Sequence, residues 1–425
     1  MRPDIIEKLL KENTAVCGYK IRSERVESYE LFFVHSKLET VRSTDTTSTD
    51  VTVYVDHDGK KGDASFKIYA STEEDEAREK IQAAAEKACR IDNEYYELPS
   101  NETLDGAIDS DFADYEPKTL ARLISDAVFS ANTYGNGSIN ALEVFINKHT
   151  VSVKNSRGID KRELKYSAMV EAIPTWTDGE SVELYEAKRF NSFDSDEIRE
   201  EIEEKMREVR DRGRAVTPSE PLTCKVALDA HELARLFSEA AHNANYSSVY
   251  THSNLFSIGD ALQKEAKGDR ISITMKGAIK GSVASALFDN DGITLIDTEI
   301  VKDGVFTNYY GGNRYAQYLK APVTGELSCM QVATGSLTDE ELKSEPYFRC
   351  VSMSGLQVDA YNDYIGGEVR LAYYCDGDKV IPMTGISISG KLSEALSSVR
   401  LSDCEICSGR YTGPKIALFE GIAIN

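Results

Sequence analysis

The chain has 425 residues, too many for one ordinary core, so two or three domains are expected. Hydrophobic residues at 41% with charged residues at 28% describe a globular protein, and no run of eighteen apolar residues is present to span a membrane. The formal charge of -22 comes without a basic cluster, which argues against DNA or RNA as a direct partner, because Lys and Arg contacts to phosphate dominate such affinity.

The N-terminus leads into a charged helix over Pro3 to Lys11, with Ile5, Ile6, Leu9 and Leu10 on one side, and not into an apolar signal core. A cytoplasmic location is therefore expected. Strand patterns follow at Tyr29–Val34 and Leu38–Arg42. The polar tract Ser43–Asp50 fits a loop or a strand edge. Alternation resumes at Val51, Val53 and Val55, and again at Phe66, Ile68 and Ala70. Between them, Asp56-His57-Asp58-Gly59 has the look of a metal loop, but Asp-Gly between strands is a hairpin signal. Thr72 is placed to cap a helix whose apolar positions are Ala77, Ile81, Ala84, Ala85 and Ala88.

Asn101–Tyr115 is rich in Asp and Ser and reads as a loop. A helix over Lys118–Asn132 follows, then strands near Asn140–Asn147, Thr150–Asn155, Glu163–Ile173 and Ser181–Arg189. Phe193–Arg212 is a charged helix with a narrow stripe of Ile198, Ile202, Met206 and Val209, closed by Gly213 and Pro218.

The apolar run Val226-Ala227-Leu228 leads into Asp229, a helix N-cap with Glu232 three residues on, as in a capping box. Leu233, Leu236, Phe237, Ala240, Ala241 and Ala244 then mark one packed helix face. His231 and His242 lie on this helix and raise the question of a zinc hydrolase. Their i, i+11 spacing separates them by roughly 16 Å at ~1.5 Å per residue, too far to share one ion. Beyond the helix the chain is strand-rich, at Arg270–Lys276, Thr294–Lys302, Tyr347–Met353, Glu368–Cys375 and Ile381–Gly390, with a short helix at Tyr315–Leu319.

Eight cysteines are scattered and are expected to be reduced thiols. Cys404-x-x-Cys407 is the one close pair, and without a second such pair it does not make a zinc ribbon. Spacing assembles no Ser/His/Asp or Cys/His set. The pattern predicts an α+β protein in three parts. These are an N-terminal α+β domain over 1–100, a central α+β segment over 101–217, and a strand-rich C-terminal domain over 218–425 with a curved or barrel-like sheet.

Several stretches taken in order resemble one family. They are Asn155-Ser156-Arg157-Gly158, Ser253-Asn254-Leu255-Phe256, Phe288-Asp289-Asn290-Asp291-Gly292 and Ile300-Val301-Lys302-Asp303-Gly304-Val305, then Tyr315-Ala316 and Thr324-Gly325. The chain resembles the TldD/PmbA (TldD/TldE) family along nearly its whole length. One branch of that family carries a zinc-binding His-Glu-x-x-x-His motif; the PmbA/TldE branch lacks it. Paired members form a zinc protease acting on unstructured peptides, and the older name is modulator of DNA gyrase. Here the motif position falls on Phe237, Ser238 and His242, and the ending Gly413–Ile422 also resembles the PmbA branch.

The resemblance implies no catalytic residue, no cofactor and no metal in this chain, with zinc in a TldD-type partner. A peptide substrate would be bound in extended form, and the isolated chain is expected to be a homodimer. A stand-alone peptidase with a site not evident from spacing, and a homodimeric binding or scaffold protein, remain the alternatives.

Overall fold

The computed structural model describes residues 3–133, 135–178 and 180–425. Among these residues the strands form three sheets with helices laid against them, a mixed α+β architecture. The first sheet runs in the order Lys60–Ile68, Lys37–His57, Gly18–Val34, Gly137–Asn155, Asp160–Asp178, Thr103–Ala107. Glu180–Glu183 and Glu186–Phe190 also pair with Asp160–Asp178. This sheet curls into a half-barrel.

Alternation along its long strands separates two faces. One face carries Tyr19, Ile21, Val51 and Val53, packed against Ile6, Leu9 and Leu10 of the Pro3–Glu12 helix and Ile81 and Ala85 of the Glu74–Ala88 helix. Further along, the same face carries Leu31, Val144, Ile146 and Val170. These pack against Leu120 and Ile124 of the Pro117–Ser130 helix and Ile202 and Met206 of the Ser195–Arg212 helix. The segments 1–100 and 101–217 thus share one sheet with two apolar clusters, and Leu31 of the first segment belongs to the second cluster.

Several local expectations are resolved or corrected here. Of the two forms open to Ser43–Asp50, loop or strand edge, the strand is the one formed, paired with the preceding strand through Ser43↔Tyr29 to Asp50↔Arg22. Its threonines suit an extended backbone, and it has no residue that forces a turn. Asn140–Asn147 and Thr150–Asn155 are one strand, because Lys148-His149 offers neither Gly nor Pro to break it. Asn101–Tyr115 holds a parallel strand, Thr103–Ala107, and a short 3-10 turn at Asp111–Asp114. Thr72 does not cap the second helix; its hydroxyl accepts from the Tyr69 amide, 3.1 Å away. The Asp-Gly hairpin holds, with Asp58 at φ 48° and Gly59 at φ 74°, the left-handed pair that such a turn needs.

The C-terminal part contains the other two sheets. One runs Val305–Phe306, Thr298–Lys302, Ile273–Lys276, Cys329–Val332, Tyr411–Pro414, Glu405–Ser408. The other runs Arg400–Leu401, Ile416–Phe419, Lys225–Asp229, Tyr347–Met353, Tyr364–Asp376, Ile386–Gly390, Ile422–Ile424. The chain steps from one sheet to the other at Lys415, between Tyr411–Pro414 and Ile416–Phe419. A single core joins Ile273 and Val332 of the first sheet, Val226 and Phe348 of the second, and Leu233, Leu236 and Phe237 of the Ala230–Ala244 helix. That helix is the apolar centre of the C-terminal half.

The capping box before this helix does not form. Asp229 makes no cap bond; its carboxylate takes a two-pronged salt bridge from Arg349 instead, at 2.8 Å from both Nε and Nη2. Arg349 also lies 3.5 Å from Glu204 of the Ser195–Arg212 helix, so the ion pair ties the two halves together.

Candidate functional site

The motif position sits in the middle of the Ala230–Ala244 helix. Phe237 is 1% exposed and belongs to the apolar core. The Ser238 hydroxyl donates to the Arg235 carbonyl one turn back, at 2.7 Å. His242 has both ring nitrogens within 3.4–3.5 Å of the Ser248 hydroxyl. His231 lies at the far end of the helix and pairs with Glu232. These donors do not fit zinc. Phe237 has no lone pair, Ser238 is spent on the backbone, and a lone imidazole is too few ligands. Among the described residues no group of three His, Cys, Asp or Glu side chains is arranged to hold a metal ion. Cys404 is exposed and Cys407 half-buried, both free thiols.

If His242 only edges this helix, His242→Ala costs about 1 kcal/mol of stability. Peptidase activity of a complex containing the variant then stays within a few-fold of the parent. A loss of orders of magnitude in a folded variant, checked by circular dichroism, makes His242 a working residue.

Two of the stretches that carried the family resemblance lie at the seam between the halves. In Asn155–Gly158, the Asn155 carboxamide oxygen accepts from the amides of Arg157 and Ile159, at 2.8 and 3.1 Å, and its nitrogen donates to the Pro99 carbonyl. The Phe288–Gly292 turn packs Phe288 against Val151, Val153 and Ile159 of the first sheet. Gly292, at φ 80°, brings its backbone so close that an added Cβ would lie 2.6 Å from Ile159. Asp289 holds this turn by accepting from the amides of Asp291, Ile293 and Glu326. Burial and the neighbouring Asp291 push its carboxyl up to about 6.

Two charged side chains are buried under the same seam. Lys161, 1% exposed, bonds to Glu102 and to the Thr294 hydroxyl. Glu163, 2% exposed, accepts from the Leu287 amide at 2.7 Å, and burial raises its pKa. The bonds to Thr294 and to the Leu287 amide reach from the first sheet to the C-terminal half, and buried charged groups need such partners, so these residues secure the docking.

Beyond the seam, the sheet face opposite the helices carries a polar row that spacing did not reveal. Glu24, His149 and Ser167 come from three adjacent strands. Glu24 faces Val151, two positions beyond His149; Ser167 faces Asn147, two positions before it. His149 Nδ1 lies 3.2 Å from Glu24 Oε1, and His149 Nε2 lies 3.0 Å from Ser167 Oγ. His149 and Glu24 keep 19% and 25% of their side-chain surface exposed. The hydrogen bond from His149, assisted by Arg22, lowers the Glu24 pKa to about 2. Sequence reasoning missed this set because 125 residues separate Glu24 from His149 and only cross-strand register joins them.

Comparison with known proteins places this geometry. Residues 221–425 match the family model for the PmbA/TldA metallopeptidase C-terminal domain, and residues 19–91 match that for PmbA/TldA metallopeptidase domain 1. The fold is therefore that of a metallopeptidase family. The chain belongs to the PmbA/TldD family. Among solved structures, TldE from Thermococcus kodakarensis superposes with a TM-score of 0.80 at 14% identity, covering 99% of each chain. A protein described as a modulator of a DNA gyrase from Thermotoga maritima gives 0.78 at 14% identity, again over 99% of each chain. Another described in the same words, from Bacteroides thetaiotaomicron, gives 0.79 at 14% identity, covering 99% of this chain and 97% of the other. No curated protein matches the chain.

Proposed function

We infer that this chain is the TldE-like, non-catalytic subunit of a two-chain zinc peptidase that acts on unstructured peptides. The observation that carries this is the motif helix: Phe237 is core and Ser238 is bonded to its own backbone where a ligand and a general base would stand. Hydrolysis at zinc needs an open coordination position and a base to take the proton from water, so the ion and its base belong to a TldD-type partner. This chain supplies walls: the open face of the first sheet, the Ile300–Gly304 turn, the strands around Tyr347–Met353, and the Ala230–Ala244 helix. The segments 1–100, 101–217 and 218–425 serve as its domains. Eight free cysteines support a reducing, cytoplasmic setting. Among the described residues no helix is long and apolar enough to cross a membrane.

The edge strand Lys37–His57 supports extended-peptide binding. Among the described residues only its Thr49–His57 part pairs with Lys60–Ile68, which leaves the outer edge of Lys37–Ser48 uncovered by them. Such an edge presents backbone donors and acceptors to any extended chain, with little sequence preference.

A subunit made to pair with a homologue carries a surface able to pair with itself, and twofold pairing is the commonest closed symmetry. The isolated chain is expected to be a dimer by light scattering at micromolar concentration. A monomer under those conditions counts against a pairing subunit. The test of the function itself is reconstitution with a TldD-type partner, described in the Discussion.

A further inference from the structure

The Glu24–His149–Ser167 row has the order of a nucleophile, a base and the group that orients the base. Ser167 Oγ is 3.0 Å from one ring nitrogen of His149, and Glu24 is 3.2 Å from the other. Glu24 is itself held in place by Arg22, whose Nη2 lies 3.1 Å from Glu24 Oε2. All three residues stand on rigid, paired strands in the interior of the sheet, which fixes their mutual placement. Ser167 is half-buried on the open face. Two further groups share that face: Asn147 directly opposite Ser167, and Lys165 directly opposite His149. Asn147 brings a side-chain amide to the position beside the serine, the kind of group that stabilises an oxyanion, while the Lys165 ammonium lies 3.8 Å from the buried Glu163 carboxylate and is held there.

We propose that Ser167, His149 and Glu24 form a second site in this protein, a serine nucleophile relay that cleaves carboxylic esters. Ser167 Oγ attacks the ester carbonyl carbon while its proton passes to His149 Nε2. The tetrahedral oxyanion is met by the Asn147 carboxamide. The bond from carbon to the leaving oxygen then breaks as His149 returns the proton to that oxygen, and an acyl-serine remains. Water repeats the sequence, with His149 taking its proton, and frees the carboxylic acid. Glu24 stays ionised and keeps the imidazole turned with Nδ1–H toward itself. The substrate is an ester and not an amide because the site stands partly open to water. There an oxyanion gains less than in a dry cavity, and an alkoxide or phenoxide leaves more readily than an amine.

This activity belongs to the chain alone and needs no partner or metal, so it stands or falls apart from the subunit role. The experiment treats the purified full chain, with chelator present, with a fluorophosphonate probe, and maps the modified residue by mass spectrometry. Hydrolysis of p-nitrophenyl acetate is followed in parallel. Labelling at Ser167 is expected. It should vanish in Ser167→Ala, fall roughly 100-fold or more in rate in His149→Ala and about tenfold in Glu24→Gln, and be unchanged in Ser344→Ala, an exposed serine of the C-terminal half. Ester hydrolysis should follow the same order. Circular dichroism of each variant identifies any that fails to fold; Glu24→Gln, which keeps shape and hydrogen bonding, covers that case through its partial loss. No modification of the parent at Ser167, or labelling equal in the parent, His149→Ala and Glu24→Gln, overturns the proposal.

Discussion

Casein incubated with this chain alone stays intact, whereas casein incubated with the chain and a zinc-bearing TldD-type partner is cut until a chelator is added. That is the result expected from the motif helix. Without a ligand at Phe237 or a base at Ser238, that position cannot generate a metal-bound hydroxide at neutral pH. The partner's ion would supply it, so chelation acts through the partner. Folded domains should survive the mixture, because an extended strand is what an open sheet edge can take. The assay runs each chain singly and then both together, with and without chelator, and checks by mass spectrometry that neither preparation contains the other. Chelator-sensitive cleavage by this chain alone would overturn the subunit role and demand zinc ligands elsewhere in it. The ester hydrolysis proposed for Ser167 is separable, since it is insensitive to chelator and does not extend to amide bonds.

Phe237→Ala should destabilise the isolated chain by ~3–5 kcal/mol, the usual loss for a large aromatic removed from a tight core. Phe237 packs within a cluster fed by both C-terminal sheets, so little backbone can collapse into the space. Denaturant unfolding reads this as a lower midpoint for the C-terminal transition. A change under about 1 kcal/mol would mean that Phe237 is peripheral, and the comparison with a ligand position would lose its physical basis. For the same reason, Phe237→His combined with Ser238→Glu restores the letters of the zinc motif without restoring the site. An imidazole at position 237 would be buried among Leu233, Leu236 and Ile273, and the pair should unfold the protein sooner than it binds metal.

Local patterns in the sequence located what local physics controls. The helix stripes at Ile198–Val209 and Leu233–Ala244 and the Asp58-Gly59 hairpin depend on residues within a turn or two of each other, and all are present. The resemblance set the zinc-motif position on Phe237, Ser238 and His242, and of these Phe237 and Ser238 cannot do zinc chemistry wherever they lie. Long-range competition accounts for what was missed. Asp229 looked like a cap, but an arginine from a neighbouring strand offers its carboxylate a stronger, charge-assisted partner than a backbone amide does. Thr103–Ala107 carries Asp and Gly and reads as a loop; it becomes strand because the neighbouring strand has a free edge to fill. Glu24, His149 and Ser167 are unremarkable apart and meet only once three strands are in register.

The pairing of Gly18–Val34 with Gly137–Asn155 bears on how the chain is made. Lys20 must find Asn155, and Val34 must find Ala141. At ~5–20 residues per second of synthesis, the first hairpin emerges on the order of ten seconds before its partner strand exists. Throughout that interval the inner edge of Gly18–Val34 is unpaired, and so is the outer edge of Lys37–Ser48, which no later strand among the described residues covers. A ribbon whose inner edge is bare, and whose outer edge is covered only at Thr49–His57, is a template for neighbouring nascent chains on the same messenger. Lys37, Glu39, Arg42 and Asp45 place alternating charge along the outer edge, which resists the in-register stacking of identical strands. Slow translation through residues 69–136 would prolong the hazard, so soluble yield should fall with elongation rate even when the finished fold is unchanged.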